Sequence, residues 1–390
     1  MTTTSAPARR PRPLPTGPAW TEEAIDLLKL VRHLAAAELA PRVEEYEAEA
    51  AFPRDLLRTL GRAGLLGLPY PQEYGGGGQP YEVYLTVLET LAQQWLGVAQ
   101  SVNIHVLSCY GLAAFGTDEQ RAAWLPDMLG GELLGANCVS EAEAGSDISA
   151  LRTTAVLREG GYAVNGVKSW VSHAGAADYY NVFCRTGGDG VRGLSLLLAP
   201  AGTPGIRPQA LERKMGVRSS PTAQIVFDGA EIPEERRIGR PGKGFLIAMG
   251  LFDRGRLGIA ACAVGLAQAA LDYAVAYAKT RQQFGKAIIT FQGLGFLLAD
   301  MATQVAAARS LLLDAARRLD AGEPVSAAAA QAKLFATDTA MRVTTDAVQV
   351  LGGYGYVTDH PTERWMREAK LLQLIEGTNQ IQRLVISTSL

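Results

Sequence analysis

Four stretches carry side chains whose types and spacing can do chemistry. The last, Leu374-Ile375-Glu376-Gly377-Thr378-Asn379-Gln380, sets one carboxylate between an apolar approach and the start of a helix. A carboxylate there loses water when an apolar ligand binds beside it, and its pKa climbs towards the range of a useful base. The bland alternative is an acid near a helix N-terminus, where the positive end of the dipole favours it. A second stretch, Cys138-Val139-Ser140-Glu141-Ala142-Glu143-Ala144-Gly145-Ser146-Asp147, leaves a strand for a loop of small polar residues. Such a loop brings N–H groups and hydroxyls close to a flat heterocycle or a phosphate, and equally makes an ordinary turn. In the third, Lys168-Ser169-Trp170-Val171-Ser172-His173, Trp170 and Ser172 share one side of a strand. The indole can cover an aromatic cofactor while the hydroxyl bonds its ring nitrogen, although a core tryptophan is the default. The fourth runs from Gln349 through Val350, Leu351, Gly352 and Gly353 to Asp359, with Arg364 and Glu368 beyond. Its glycines read first as a helix C-cap; no strand precedes them, so they are not a dinucleotide fingerprint.

The elements that must position these stretches change character twice along the chain. From Thr21 to about Leu129 the apolar spacing is helical, with Gly75 to Gly78 as a loop. From about Glu132, β-rich runs alternate with turn residues: Ala155–Leu157, Tyr162–Val164, Lys168–Ser172, Tyr179–Cys184, Leu194–Leu198 and Ala223–Phe227. Asn165-Gly166 predicts a hairpin turn between two of them, and the short connections predict antiparallel pairing. Beyond Gly244 long helices return, over Gly258–Thr280, Gln292–Leu319 and Val325–Leu351, which predicts an antiparallel bundle. The expected architecture is an α+β multidomain chain. A disordered tail (1–19) precedes an N-terminal α-helical domain (20–130), a middle antiparallel β domain (131–241) and a C-terminal four-helix-bundle-like domain (242–390).

Composition narrows the class. Of 390 residues, 48% are hydrophobic and 19% charged, as in a soluble globular enzyme. A formal charge of −2 gives no basic excess for nucleic acid. No stretch reads as the ~20 apolar residues that span a bilayer. Cys109, Cys138, Cys184 and Cys262 show no Cys-x-x-Cys spacing and read as reduced core residues, with no metal set. The arginines of the first 18 residues lack an apolar run behind them, and their prolines make a poor import helix. That argues for a bacterial cytoplasm over a mitochondrial matrix.

In this order the four stretches closely resemble the acyl-CoA dehydrogenase family, from about Trp20 to the C-terminus. Further matches are Gly67-Leu68-Pro69-Tyr70-Pro71-Gln72-Glu73-Tyr74-Gly75-Gly76, Phe115-Gly116-Thr117-Asp118-Glu119-Gln120 and Arg281-Gln282-Gln283-Phe284-Gly285. The resemblance implies FAD bound between the middle domain and the C-terminal bundle. It places Asn137, Cys138, Val139 and Ser140 along the isoalloxazine with Trp170, Val171 and Ser172, the last nearest N5. Arg281, Gln283, Phe284, Gln292 and the run Gln349 to Gly353 correspond to contacts with the FAD of a neighbouring subunit, which implies a dimer at least and commonly a homotetramer. Thr378 and Gln380 match cofactor contacts beside Glu376. Ser146, Phe252, Asp253, Arg256 and Gly377 fall where the family contacts cofactor or acyl-CoA; Phe252 and Arg256 share a helix face.

The implied reaction is α,β-dehydrogenation of an acyl thioester to the trans-2-enoyl form, as in β-oxidation, with electrons passed to an electron-transfer flavoprotein. Glu376 would take the α-proton. In one branch the base stands one residue before Arg256, where this chain has Gly255. Asn137 replaces an aromatic or small residue, Ala142 a proline and His173 a frequent Asn. No arginine lies between Ala92 and Gly116, which argues against decarboxylation of a glutaryl substrate. The competing readings are a dehydrogenase of carrier-protein-bound thioesters, an oxygen-using oxidase, and a scaffold that has kept the fold.

Overall fold

The computed structural model describes residue 13, residues 15–17 and residues 19–390. Most of the expected tail lies outside them. Six helices come first: α1 (Glu22–Leu34), α2 (Val43–Glu49), α3 (Arg54–Arg62), α4 (Tyr81–Gln94), α5 (Leu96–Phe115) and α6 (Asp118–Leu129). Side-chain caps open two of them, α1 and α6. The Thr21 hydroxyl accepts from Ala24 N at 3.2 Å, with Glu22 and Glu23 in the first turn. Thr117 and Gln120 close a reciprocal capping box on α6.

Eight strands follow: β1 (Gly135–Cys138), β2 (Thr154–Arg158), β3 (Gly161–Ser172), β4 (Tyr179–Arg185), β5 (Leu194–Pro200), β6 (Ile206–Pro208), β7 (Thr222–Pro233) and β8 (Arg237–Ile238). They form one sheet in the order β6-β7-β3-β2-β4-β5-β8, with β1 beside β4. The sheet is mixed. β1 and β2 both run parallel to β4, while every other pairing is antiparallel, which corrects the expected all-antiparallel domain. The Asn165-Gly166 hairpin is also corrected. β3 runs straight through that dipeptide, and the turn between β2 and β3 is Glu159-Gly160. Opposite Asn165 the partner strand β7 bulges at Asp228-Gly229, and the Asn165 side chain accepts from Gly229 N at 2.8 Å. Gly166 then lies so close to Thr153 that a Cβ would stand 2.5 Å from its hydroxyl.

The C-terminal part holds α7 (Gly244–Thr280), a small hairpin of β9 (Gln282–Gln283) and β10 (Lys286–Ala287), then α8 (Gln292–Asp320), α9 (Ser326–Leu351), α10 (Gly353–Tyr356), α11 (Thr362–Leu372) and α12 (Asn379–Ser387). α7 is the central helix, packed by α4, α5, α8 and α9. Its Ala- and Gly-rich sequence suits a helix that must be approached from all sides. By length and composition alone α5, α7 and α8 are apolar enough to cross a membrane, which corrects the sequence reading. In α5 and α7 that apolar character faces the protein interior, 78% of the apolar stretch being buried; in α8 only 28% is.

Buried carboxylates fix how the parts meet. Glu47 of α2 accepts from Trp95 Nε1 (2.8 Å), Arg218 N (2.7 Å) and the Ser219 hydroxyl beyond β6. Arg364 of α11 bonds Glu44 of α2 at 3.0 Å and Glu368 at 3.2 Å. These contacts tie the first helices to both the sheet and the bundle.

Candidate active site

Glu376 sits in the turn between α11 and α12. Its φ of 51° and that of Gly377, 83°, are both left-handed, so the chain doubles back sharply. A glutamate there carries strain of about 1–3 kcal/mol that the surroundings must hold. The turn sends the side chain under α7. A Cβ built on Gly255 would stand 2.3 Å from Glu376 Oε2 and 3.3 Å from Leu107 Cδ1, so the glycine leaves the space that the carboxylate fills. The residue as a whole is half-buried, but Oε2 itself is fully buried and has no hydrogen-bond partner. Burial pushes the carboxyl up to about 7, opposed by the charges of Arg256 and Lys333. Among the described residues the Glu376 N–H donates to no acceptor.

Arg256 is buried on α7 and is not a solvated helix charge. Its Nη1 donates to Asp253 at 2.8 Å, and Asp253 in turn accepts from Ser326 at 2.6 Å, while Arg256 Nε is buried and unpartnered. Phe252 is half-buried one turn earlier. Gly377 offers its carbonyl inward to Lys333 and Gln382. Thr378 caps α12, accepting from Ile381 N, and Gln380 is exposed.

Across in the sheet, Trp170 is the outlier. A bulge in β3, between Lys168 and Val171, gives it a φ of 59° and leaves the indole 66% exposed. A core tryptophan is excluded. Val171 points into the sheet core, and Ser172 stands half-buried on the Trp170 side. The loop after β1 is fastened to this bulge: Ser169 N donates to Ser140 O at 2.8 Å, and buried Lys168 Nζ donates to Val139 O and Glu141 Oε1, each at 2.8 Å. Glu141 also accepts from Arg152 N and Thr153 N. Lys168 and Glu141 were visible as members of their motifs, but their role beneath the loop depends on strand pairing that spacing does not encode. The Cys138 thiol lies in the sheet core, leaving only its backbone for a ligand; Ser146 is exposed. Asn137 is half-buried, its Oδ1 accepting from Asn181 Nδ2 at 3.0 Å. His173, fully buried, bonds Gly135 O at 3.0 Å.

The remaining predicted contacts gather elsewhere in the molecule. Arg281, Gln283 and Gln349 to Gly353 line a separate cavity of about 540 Å³ with Tyr277, Tyr354 and Val357, and no residue of the sheet joins them. Arg281 lies over the Tyr354 ring at 5.5 Å. Phe284 and Gly285, with φ of 52° and 76°, form the two-residue turn of the β9–β10 hairpin and hold the Phe284 ring 92% exposed. Gln292 opens α8 and is exposed. Val350 and Leu351 are buried, so they too offer only backbone. Among the described residues no group of three or more His, Cys, Asp and Glu side chains is placed to hold a metal.

Family models describe the chain in three pieces: acyl-CoA dehydrogenase N-terminal domain over residues 21–132, middle domain over 136–230 and C-terminal domain over 242–390. An acyl-CoA dehydrogenase of Bacillus subtilis is 42% identical over 94% of this chain and 97% of its own length. Among solved structures, butyryl-CoA dehydrogenase from Megasphaera elsdenii superposes with a TM-score of 0.93 at 40% identity, covering 95% of this chain and 98% of its own. A chain from work on the electron transferring flavoprotein of Acidaminococcus fermentans gives 0.93 at 43% identity over the same shares. The chain belongs to the acyl-CoA dehydrogenase family and is an FAD-dependent oxidoreductase. The residues present fit that cofactor. Ser140 and Ser172 are half-buried, and a strained, exposed indole flanks Ser172.

Proposed function

We propose that the chain removes the α-proton and β-hydride of an acyl-CoA thioester, with Glu376 as the base and an electron-transfer flavoprotein as the acceptor. One observation carries the assignment of the base: a buried, unpartnered carboxylate oxygen held by a left-handed turn against Gly255. A base needs a pKa near the working pH, and burial supplies about 7. An entering acyl chain desolvates the acid further. The free Glu376 N–H is the donor we assign to the thioester carbonyl, whose polarisation acidifies the α-carbon. Arg256 and Phe252 grip the ligand along α7. Bound FAD supplies the hydride acceptor, so the α-C–H electron pair becomes the new C=C bond while the proton stays on Glu376. Trp170 would cover the flavin ring and Ser172 would donate to its polar edge. The separate Arg281 cluster, with exposed Phe284, serves a second protomer's cofactor, which requires at least a dimer.

Glu376→Gln tests the assignment. The amide keeps shape and FAD but accepts no proton, so dye-coupled oxidation of straight and branched acyl-CoA esters should fall at least about a thousandfold. Full activity with bound flavin would exclude Glu376 as the base.

A further inference from the structure

Lys333 belongs to none of the four chemical stretches. It lies on α9 with no exposed surface, and its Nζ donates to Gly377 O and to Asn379 Oδ1, each at 2.8 Å. Asn379 is the first residue of α12; its Nδ2 donates to Thr337 Oγ1 at 3.0 Å and Asp338 Oδ1 at 2.7 Å. Gln382, also fully buried, reaches back from α12 to Glu376 O at 3.2 Å and Gly377 O at 2.8 Å. Both peptide planes that flank Gly377 are therefore held by side chains, and those planes set the backbone angles on which the direction of Glu376 depends.

We propose that Lys333 is a positioning residue: from α9 it clamps the left-handed Glu376-Gly377 turn to the start of α12 and sets a cation where it acts on the buried carboxylate. A lysine costs several kcal/mol to bury unpaired. Here two neutral oxygens receive it and Glu376 is the carboxylate whose field it feels most. The charged groups around Glu376 are Arg256 with its partner Asp253 on α7, and Lys333 and Asp338 on α9; α5 presents the apolar Leu107 and α12 the neutral Gln382. Burial draws the Lys333 ammonium down to about 7, into the region to which it lifts Glu376, so the two ionisations are linked. Without the cation, ionised Glu376 is less favoured and should hold its proton to higher pH.

The test is Lys333→Met in the flavin-loaded protein. The infrared carbonyl band of protonated Glu376, assigned by its loss in Glu376→Gln, should titrate about one pH unit higher than in the parent. On the acid side, kcat should fall about tenfold while KM stays within about twofold. An unmoved band together with parental kcat would overturn the proposal. If Lys333→Met does not fold, Lys333→Gln, which keeps a donor for the Gly377 carbonyl and drops the charge, is read against the same two outcomes. The proposal rests on Glu376 as the base, but the infrared titration needs no substrate. A shifted band in a protein that oxidises no thioester would keep the action of Lys333 on the carboxyl and remove the base.

Discussion

Glu368 and Glu376 stand eight positions apart, and burial pushes both carboxyls up to about 7. Their partners differ. Glu368 is met by Arg364 at 3.2 and 3.4 Å, and Arg364 goes on to Glu44. Glu376 Oε2 is met by nothing. Burial raises both carboxyls, yet one becomes a joint and the other stays unpaired. A raised pKa does not by itself mark a reactive group; the absence of a partner, in a turn strained to keep it so, does.

The comparison breaks if the two carboxylates respond alike to removal. Glu368→Ala leaves the buried Arg364 guanidinium with Glu44 as its remaining bonded partner, and should cost about 3–5 kcal/mol in urea unfolding while turnover per folded flavin changes little. Stability within about 0.5 kcal/mol of the parent would deny Glu368 its structural part. Gly255→Ala is expected to act the other way: folding persists, but the added methyl displaces the Glu376 carboxylate, and kcat should drop about a hundredfold. Parental kcat would show that the site tolerates the shift. The smallest effect is on pH dependence. A carboxyl that ionises near 7 when folded and at the ordinary 4.5 when unfolded keeps a proton that the unfolded chain loses, so stability falls as pH rises through that window. His105 and His173, drawn down to about 4 from 6.5 by burial, tilt the curve the opposite way over much of the same range. The difference between proteins is therefore the useful quantity. Glu376→Gln should lose stability less steeply than the parent from about pH 5 to about pH 7, by up to ~1.4 kcal/mol per pH unit. Parallel curves would mean that Glu376 is ionised throughout.

Much of this was legible in the chain. Long helices followed from Ala- and Leu-rich periodicity, and the candidate acid from its own short motif. What could not be read there depends on contacts between distant segments. Asn165-Gly166 has the composition of a turn, yet Gly229 and Thr153 hold it within a strand. The parallel course of β1 beside β4 has no local signature. Trp170 is exposed because a bulge rotates it outward, and alternation cannot foresee a bulge. Lys333 did leave a trace: it falls on the same buried stripe of α9 as Ala329, Ala336 and Ala340. A lone cation on an otherwise small and apolar face invites the question of what anion or carbonyl it serves.

The missing side chain at Gly255 also bears on how such a site can change over generations. With the acid already filling that spot, a glutamate arriving on α7 would find it taken. The acid could change its place of attachment only if one position emptied as the other filled. A lineage taking those steps one at a time would pass through a crowded intermediate or one with no acid at all.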